Sequence, residues 1–247
     1  MEVVDLLRSL SPVNQWKWIQ DNAKSIEEGS PIRSALRMLK RTIACDAALG
    51  GNLKVLEILY ACGPRAWNKD VCINAARGGH LVIVKYLDKC ECPWDTKVCA
   101  FAANGGHLDI LKYAHENGCP WDEYTTAYAA GARHFEILKY AYENGCPYDE
   151  AVCCNAAFNG DLAMLKWAHE HGCPCNEDTC VSAAINGHLD VLKWLRQEEC
   201  PWDNTTCYYP RRNSCLPDIS SDERETYLEV YQWAKDNGCP DDYVESN

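Results

Sequence analysis

Short apolar stripes at helical spacing recur along the chain. In Leu108-Asp109-Ile110-Leu111-Lys112-Tyr113-Ala114 and again in Leu189-Asp190-Val191-Leu192-Lys193-Trp194-Leu195, the apolar positions fall on one face of a helix. Upstream of each lies a second stripe built from small residues, such as Cys99, Ala102 and Ala103 at i, i+3 and i+4. Side chains that small let neighbouring helices approach closely. Between the two stripes stands Ala-Ala-x-x-Gly-His: Ala75-Ala76 before Gly79-His80, Ala102-Ala103 before Gly106-His107, and Ala183-Ala184 before Gly187-His188. Degenerate copies occur as Ala129-Ala130 before Arg133-His134 and Ala156-Ala157 before Gly160-Asp161. Successive copies are 27 residues apart, and an earlier one, Ala47-Ala48 before Gly51-Asn52, lies 28 residues upstream. The pattern predicts a repeated pair of helices, A and B, joined by a glycine turn.

Three further columns keep the same step. Cys72, Cys99, Cys153, Cys180 and Cys207 form one, with Thr126 in the gap; Trp67, Trp94, Trp121, Tyr148, Cys175 and Trp202 form another. Asn68, Asp95, Asp122, Asp149, Asn176 and Asp203 form the third, at the expected N-cap of helix A. Helix B is expected to stop at Gly118, Gly145, Gly172 or Gly238, each followed by Cys-Pro. Asp109 with Lys112, Glu136 with Lys139, and Asp190 with Lys193 are spaced for i, i+3 ion pairs, each worth about 0.2–0.5 kcal/mol. One such unit cannot bury its own apolar face, so stability has to come from stacking against neighbours.

Helix A, Gly-His turn, helix B and glycine stop resemble the ankyrin repeat over about residues 42–240. The usual ankyrin unit is about 33 residues long. About six residues are therefore missing here, where that family carries a protruding β-hairpin finger, and Lys97-Val98-Cys99-Ala100 replaces its Thr-Pro-Leu-His opening. The linker Gly-Cys-Pro-Trp-Asp at 118–122 is similar to a short-repeat group found in large DNA viruses and some protists. The resemblance implies an all-α, ankyrin-type helical repeat solenoid with shortened loops. It also implies a non-enzymatic scaffold that binds a partner protein through the concave helix A face, in narrower form a substrate adaptor or a host-directed effector. Residues 1–30 are expected as a degenerate helical cap, 31–207 as the repeats, and 208–247 as an interrupted last repeat with a C-terminal cap. A longer helix is expected from Ser30-Pro31 to about Leu49. The last repeat carries a 12-residue insertion around Pro210, in which Tyr208–Ser214 is expected as a surface loop.

Composition narrows the partners. The net charge of −12 argues against nucleic acid and anionic lipid as general partners. No apolar run approaches the length of a membrane helix, and the first residues lack the pattern of a signal peptide. The expectation is a monomer that binds another protein, with no nucleic acid, no membrane and no cofactor.

The chain holds 17 cysteines. Cysteines recurring once per stacked helix pair lie about 8–10 Å apart, too far for a disulfide between ladder neighbours. They read as small buried apolar residues, and the expected compartment is a reducing one, cytoplasm or nucleus. An alternative is metal or redox chemistry at His169, His171, Cys173, Cys175 and Cys180, where histidine and cysteine crowd together. No phosphate loop, dinucleotide fingerprint or His-Glu-x-x-His is present. A Cys–His nucleophile pair stays open, with no pair singled out by spacing. His80, His107, His134 and His188 read as turn residues, and the Lys85, Lys112, Lys139, Lys166 and Lys193 column as a solvated face.

Columns that hold constant are what the stack requires, so a binding function falls to the columns that vary. On helix A these are the i, i+4 and i+7 positions of each repeat. The candidate partner-binding residues are Asn74, Arg77, Lys97, Phe101, Asn104, Tyr124, Tyr128, Asn155, Phe158, Ser182 and Ile185. The middle of this set is aromatic, and aromatic side chains commonly dominate interfaces.

Overall fold

Helix A begins at the Asp/Asn column, in extended backbone, and at four of its six members, Asp95, Asp149, Asn176 and Asp203, the side chain turns onto the first free N–H groups. Asp95 accepts from Lys97 N at 3.0 Å, Asp149 from Ala151 N at 3.1 Å, and Asn176 from Thr179 N at 3.2 Å. The computed structural model describes residues 31–61 and 67–241; the cap expected over 1–30 lies outside the described residues. Among these residues there are fourteen helices and no strand, an all-helical repeat architecture of solenoid type. The chain divides into two compact units, Met1–Pro120 and Trp121–Asn247.

The first unit contains α1 (Pro31–Leu49), α2 (Leu53–Ala61), α3 (Lys69–Arg77), α4 (Leu81–Lys89), α5 (Thr96–Asn104) and α6 (Leu108–Glu116). The A helices α1, α3 and α5 lie in a row, and each B helix packs on its own A helix. Leu56, Leu59, Ile83, Leu87, Ile110 and Leu111 are fully buried, each contributing about 1.5–3 kcal/mol. The second unit contains α7 (Glu123–Gly131), α8 (Phe135–Glu143), α9 (Glu150–Phe158), α10 (Leu162–Glu170), α11 (Glu177–Ile185), α12 (Leu189–Gln197), α13 (Asn204–Ser214) and α14 (Ser221–Asp236). Here α7, α9, α11 and α13 form the row over a core that includes Leu138, Met164, Leu165, Leu192 and Leu195. The B-to-A linkers 144–149 and 171–176 are six residues each, with no hairpin finger.

The Gly-His turn clips one repeat to the one before it. His80 Nε2 donates to Leu49 O at 3.0 Å, His107 Nε2 to Arg77 O at 3.3 Å, and His188 Nε2 to Phe158 O at 3.1 Å. Each acceptor is a carbonyl at the end of the preceding A helix, one of those a helix leaves without an internal partner. Glycine makes the space. Gly79 has φ +77°, and a β-carbon there would stand 2.5 Å from His107 Cε1. Gly51 and Gly160 make the same slot for His80 and His188.

A thiol column supplies the second clip. Cys92 Sγ donates to Asn68 O at 3.4 Å, Cys119 to Asp95 O at 3.7 Å, Cys146 to Asp122 O at 3.4 Å, Cys173 to Asp149 O at 3.1 Å, Cys200 to Asn176 O at 3.4 Å, and Cys239 to Asp203 O at 3.3 Å. The thiol after each helix B thus holds the N-cap carbonyl of its own repeat's helix A. Cys72, Cys99, Cys153, Cys180 and Cys207 are buried as expected, and all described cysteines are free thiols. Spacing along the A-helix ladder did not show that the Cys-Pro thiols lie against them: the interaction of the Cys119 thiol with Cys99, together with burial, pushes Cys119 up, and the interaction with Cys92 does the same for Cys72.

Helix B stops as the glycines indicate. At Gly118, φ is +80°, Gly118 N donates to His115 O at 3.0 Å, and Cys119 N donates to Ala114 O at 2.9 Å. This pair of bonds is a Schellman ending. Glu91 (φ 55°) and Glu199 (φ 59°) occupy the same left-handed position without being glycine.

The insertion differs from expectation. Tyr208–Ser214 is not a loop; it completes α13, and Pro210 is buried within that helix. The twelve extra residues divide into two on helix A, three in the A–B connection and seven on helix B, relative to the nine-residue helices and three-residue turns elsewhere. Arg224 bonds Ser214 O at 2.5 Å and Leu216 O at 3.2 Å, and so closes the long connection within its own repeat. Of the ion pairs expected, Glu136 and Lys139 meet at 3.0 Å, whereas Lys193 sits 6.0 Å from the Trp233 ring.

These turns set the cost of three substitutions. Gly79→Ala combines left-handed strain with a clash against His107 and is expected to cost about 2–4 kcal/mol. His107→Ala, which leaves the Arg77 carbonyl unpaired, is expected to cost about 1–3 kcal/mol. Glu199→Gly relieves a left-handed residue and is expected to add about 0.5–1 kcal/mol. Urea unfolding followed by far-ultraviolet circular dichroism reads all three.

Candidate functional site

The variable face of helix A is exposed in both units, each considered by itself. In the first unit, Arg77, Lys97 and Asn104 are exposed, Asn74 and Phe101 half-buried, and the Arg77 guanidinium lies 4.0 Å from the Phe101 ring centre. Asn74 Nδ2 turns back to Asp70 O at 2.8 Å. In the second unit, Tyr124 is 56% exposed and Phe158 53%. Tyr128 meets Tyr124 edge-on with ring centres 6.0 Å apart. Asn155, Ser182 and Ile185 are half-buried, and Asn155 Nδ2 donates to Ala127 O at 2.9 Å, so its amide serves the stack. The site predicted from repeat variation therefore separates into projecting residues, led by Tyr124 and Phe158, and residues such as Asn155 that already have structural partners.

The helix B face is exposed but not idle. Lys85 Nζ lies 5.1 Å from the Tyr113 ring centre, and Lys166 Nζ lies 6.0 Å from Trp194. Each lysine covers the aromatic residue of the next repeat, so this column does more than hold solvent. The Trp column packs against helix B: Tyr60 stacks on Trp67 at 6.0 Å, and Tyr142 meets Tyr148 at 5.4 Å.

One slot in that column carries different chemistry. Residues six apart, one on helix B and one in the linker, meet as two rings at Tyr142 and Tyr148, and as a cation on a ring at Arg196 and Trp202, with Arg196 Cζ 4.2 Å from the ring centre. At the equivalent place stand His169 and Cys175, with Cys175 Sγ 3.7 Å from His169 Nδ1. The other ring nitrogen, His169 Nε2, lies 3.7 Å from Glu198 Oε2. Two buried thiols lie against the linker on either side of Cys175: Cys153 Sγ is 3.8 Å from Cys173 O, and Cys200 Sγ is 3.4 Å from Asn176 O. The neighbouring thiols of Cys153 and Cys200, together with His169, hold the Cys175 pKa down at about 3, while Cys153 and Cys200 themselves are pushed up. Spacing alone singled out no Cys–His pair; the signal was the break in the Trp column, six residues after a histidine.

The alternative metal set does not converge. His171 Nδ1 bonds Trp167 O at 2.7 Å and its ring stacks on Trp167 at 4.2 Å, while Cys173 donates to Asp149 O and Cys180 is buried in helix A. Among the described residues, no group of three or more histidine, cysteine or carboxylate side chains is arranged to hold a metal ion. No helix among them is long and apolar enough to cross a membrane.

No family model and no curated protein matches this sequence. Among solved structures, the chain is similar to the pentatricopeptide repeat protein PPR10 from maize, with 14% identity and a TM-score of 0.41 over 97% of this chain and 40% of that one. It is also similar to PPR10 in complex with an 18-nt psaJ RNA element, and to a C256S/C430S/C449S variant in the same kind of complex; each has 12% identity and a TM-score of 0.35 over 96% of this chain and 49% of that one. The chain thus spans less than half the length of these proteins. The exclusion of nucleic acid is corrected by this finding, since two of the three similar structures hold RNA. The physical reason is that net charge sums over the whole chain and does not set the chemistry of one face.

Proposed function

We propose that this helical-repeat chain is a non-enzymatic scaffold of the shortened ankyrin type, working in a reducing compartment, that binds a partner polypeptide through the exposed face of its A helices. The observation that carries this reading is the exposure of Tyr124 and Phe158 on neighbouring A helices whose opposite faces are alanine, cysteine and threonine packed into the stack. Large aromatic side chains left more than half in water at positions the repeat does not require are the anchors an interface uses. Arg77 over Phe101 presents the same mixture of ring and donor in the first unit. The free thiols throughout the stack support the reducing compartment.

The test is capture from cell lysate with the wild-type chain and a Tyr124→Arg/Phe158→Arg variant, with and without ribonuclease, read by mass spectrometry and RNA sequencing. These two positions are chosen over Phe101 and Tyr128 because their exposure leaves the fold intact, which far-ultraviolet circular dichroism checks. The expected result is a protein set held by the wild type, reduced at least ten-fold by the variant and unchanged by ribonuclease. Equal capture by both chains overturns the assignment of this face. Recovery of RNA, with proteins lost on ribonuclease treatment, overturns the polypeptide partner.

A further inference from the structure

We propose that Cys175 is a peroxide-reactive thiol whose oxidation closes a disulfide with one of the two buried thiols beside it, Cys153 or Cys200. This inference is independent of the binding face on the A helices. It rests on four groups that the fold brings together from separate elements of the second unit. His169 comes from the last turn of α10, Cys153 from α9, and Cys200 from the linker after α12. Cys175 stands in the linker just before α11. Behind His169 stands Glu198, at the end of α12, which completes the line thiol, imidazole, carboxylate. An activated nucleophile has this logic: a base within reach of the thiol and a third group that orients the base. Glu198 is the positioning residue of the three, since it acts through His169.

Access and partners both fit. Cys175 is half-buried and therefore reachable by a molecule as small as hydrogen peroxide, while Cys153 and Cys200 are buried and shielded from direct attack. The site is specific to one repeat. Elsewhere the linker position of the pair carries Trp94, Trp121, Tyr148 or Trp202, and none of these can form a disulfide, even where a histidine, His115, stands six residues before. The regular thiols of the stack are also differently engaged. Cys173 and Cys200 donate to N-cap carbonyls, as does every other cysteine of that column, whereas Cys175 lies outside the repeating clip.

The chemistry balances with peroxide as the named oxidant. The Cys175 thiol gives its proton to His169, and the thiolate attacks one peroxide oxygen. A sulfur–oxygen bond forms, the oxygen–oxygen bond breaks, and hydroxide leaves to take up a proton as water. Sulfur is oxidised to the sulfenic acid and peroxide is reduced. The second thiol, Cys153 or Cys200, then attacks the sulfenic sulfur; the disulfide forms and a second water leaves, carrying that thiol's proton. If Cys200 is the partner, its bond to the Asn176 carbonyl is broken, and oxidation is coupled to the junction of α11 with its repeat.

The experiment uses the full reduced chain. It is exposed to a small excess of hydrogen peroxide, quenched with an alkylating reagent over a time course, and mapped by mass spectrometry. Cys215, the exposed thiol, serves as the internal reference. Cys175 is expected to be oxidised at least ten-fold faster than Cys215 and to be recovered cross-linked to Cys153 or Cys200. In a Cys153→Ser/Cys200→Ser variant it is expected to be trapped by a dimedone probe as the sulfenic acid. His169→Tyr, which installs the residue found at 142, is expected to slow Cys175 at neutral pH and to move its rate-against-pH profile upward; the groups facing Cys175 in that profile are Cys153, His169 and Cys200, with Glu198 behind the histidine. A Cys175 rate equal to that of Cys215, or a profile unmoved by His169→Tyr in a chain that remains helical, overturns the reactive thiol. A fast Cys175 that is never cross-linked overturns the disulfide.

Discussion

The structure depends on how closely the end of one A helix can approach the turn of the next repeat. An imidazole fits between two chain segments only if no β-carbon is in the way, and once there it satisfies a helix-terminal carbonyl that would otherwise lack a partner. Gly79 and Gly105 flank His107 in this way, with the would-be β-carbons 2.5 Å and 2.6 Å from the ring. Glycine costs conformational entropy wherever it is used. The repeat accepts that cost at the one point where both the left-handed backbone and the absent side chain are needed. The thiol-to-carbonyl bonds then tie the other end of each helix pair, so each 27-residue unit is fastened at both ends.

The exceptions show that geometry rather than residue type is maintained. In the turn after α7, glycine is replaced by Ala132-Arg133, and Arg133 takes φ 62°. Its guanidinium reaches the carbonyl of Asn159 in the next turn. Asn159 in turn sends its amide to Ala130 O at 3.2 Å and Gly131 O at 2.9 Å. There the asparagine does the work that histidine does elsewhere, and Asp161, where the histidine would stand, caps α10 through Met164 N at 2.9 Å. In the last repeat Asn213 Nδ2 reaches back to Ile185 O at 3.1 Å, while Arg224 serves the helix-end carbonyl of its own repeat, Ser214 O. Three different side chains therefore solve one problem, which is an unpaired carbonyl at a helix end.

Most of the fold was legible because the repeat compares the chain with itself. The N-cap column, the small-residue face, the glycine stop and the buried A-helix cysteines all appear as constant columns, and α1 begins and ends where Pro31 and Leu49 suggested. Pro210 misled because proline is expected to break a helix, yet α13 runs through it with the ring buried. The binding face was legible only as a set of variable positions. Periodicity says which side chains are free of the stack, but Asn155 and Asn74 show that a variable position can still be committed to a local hydrogen bond. The Cys175 group was illegible for a different reason. Its members come from four elements, and only the packing of those elements brings a histidine, a carboxylate and three thiols together.

The histidine clips carry a consequence for how the molecule tolerates acid. At His80, His107 and His188 the nitrogen that meets the carbonyl is a donor when the ring is neutral, and it is a donor still when the ring is charged. Protonation changes the charge of the turn without removing the bond that holds it. An array fastened in this way keeps its clips whichever charge the ring carries. The residue best known as an acid trigger serves here as a fastener that does not release.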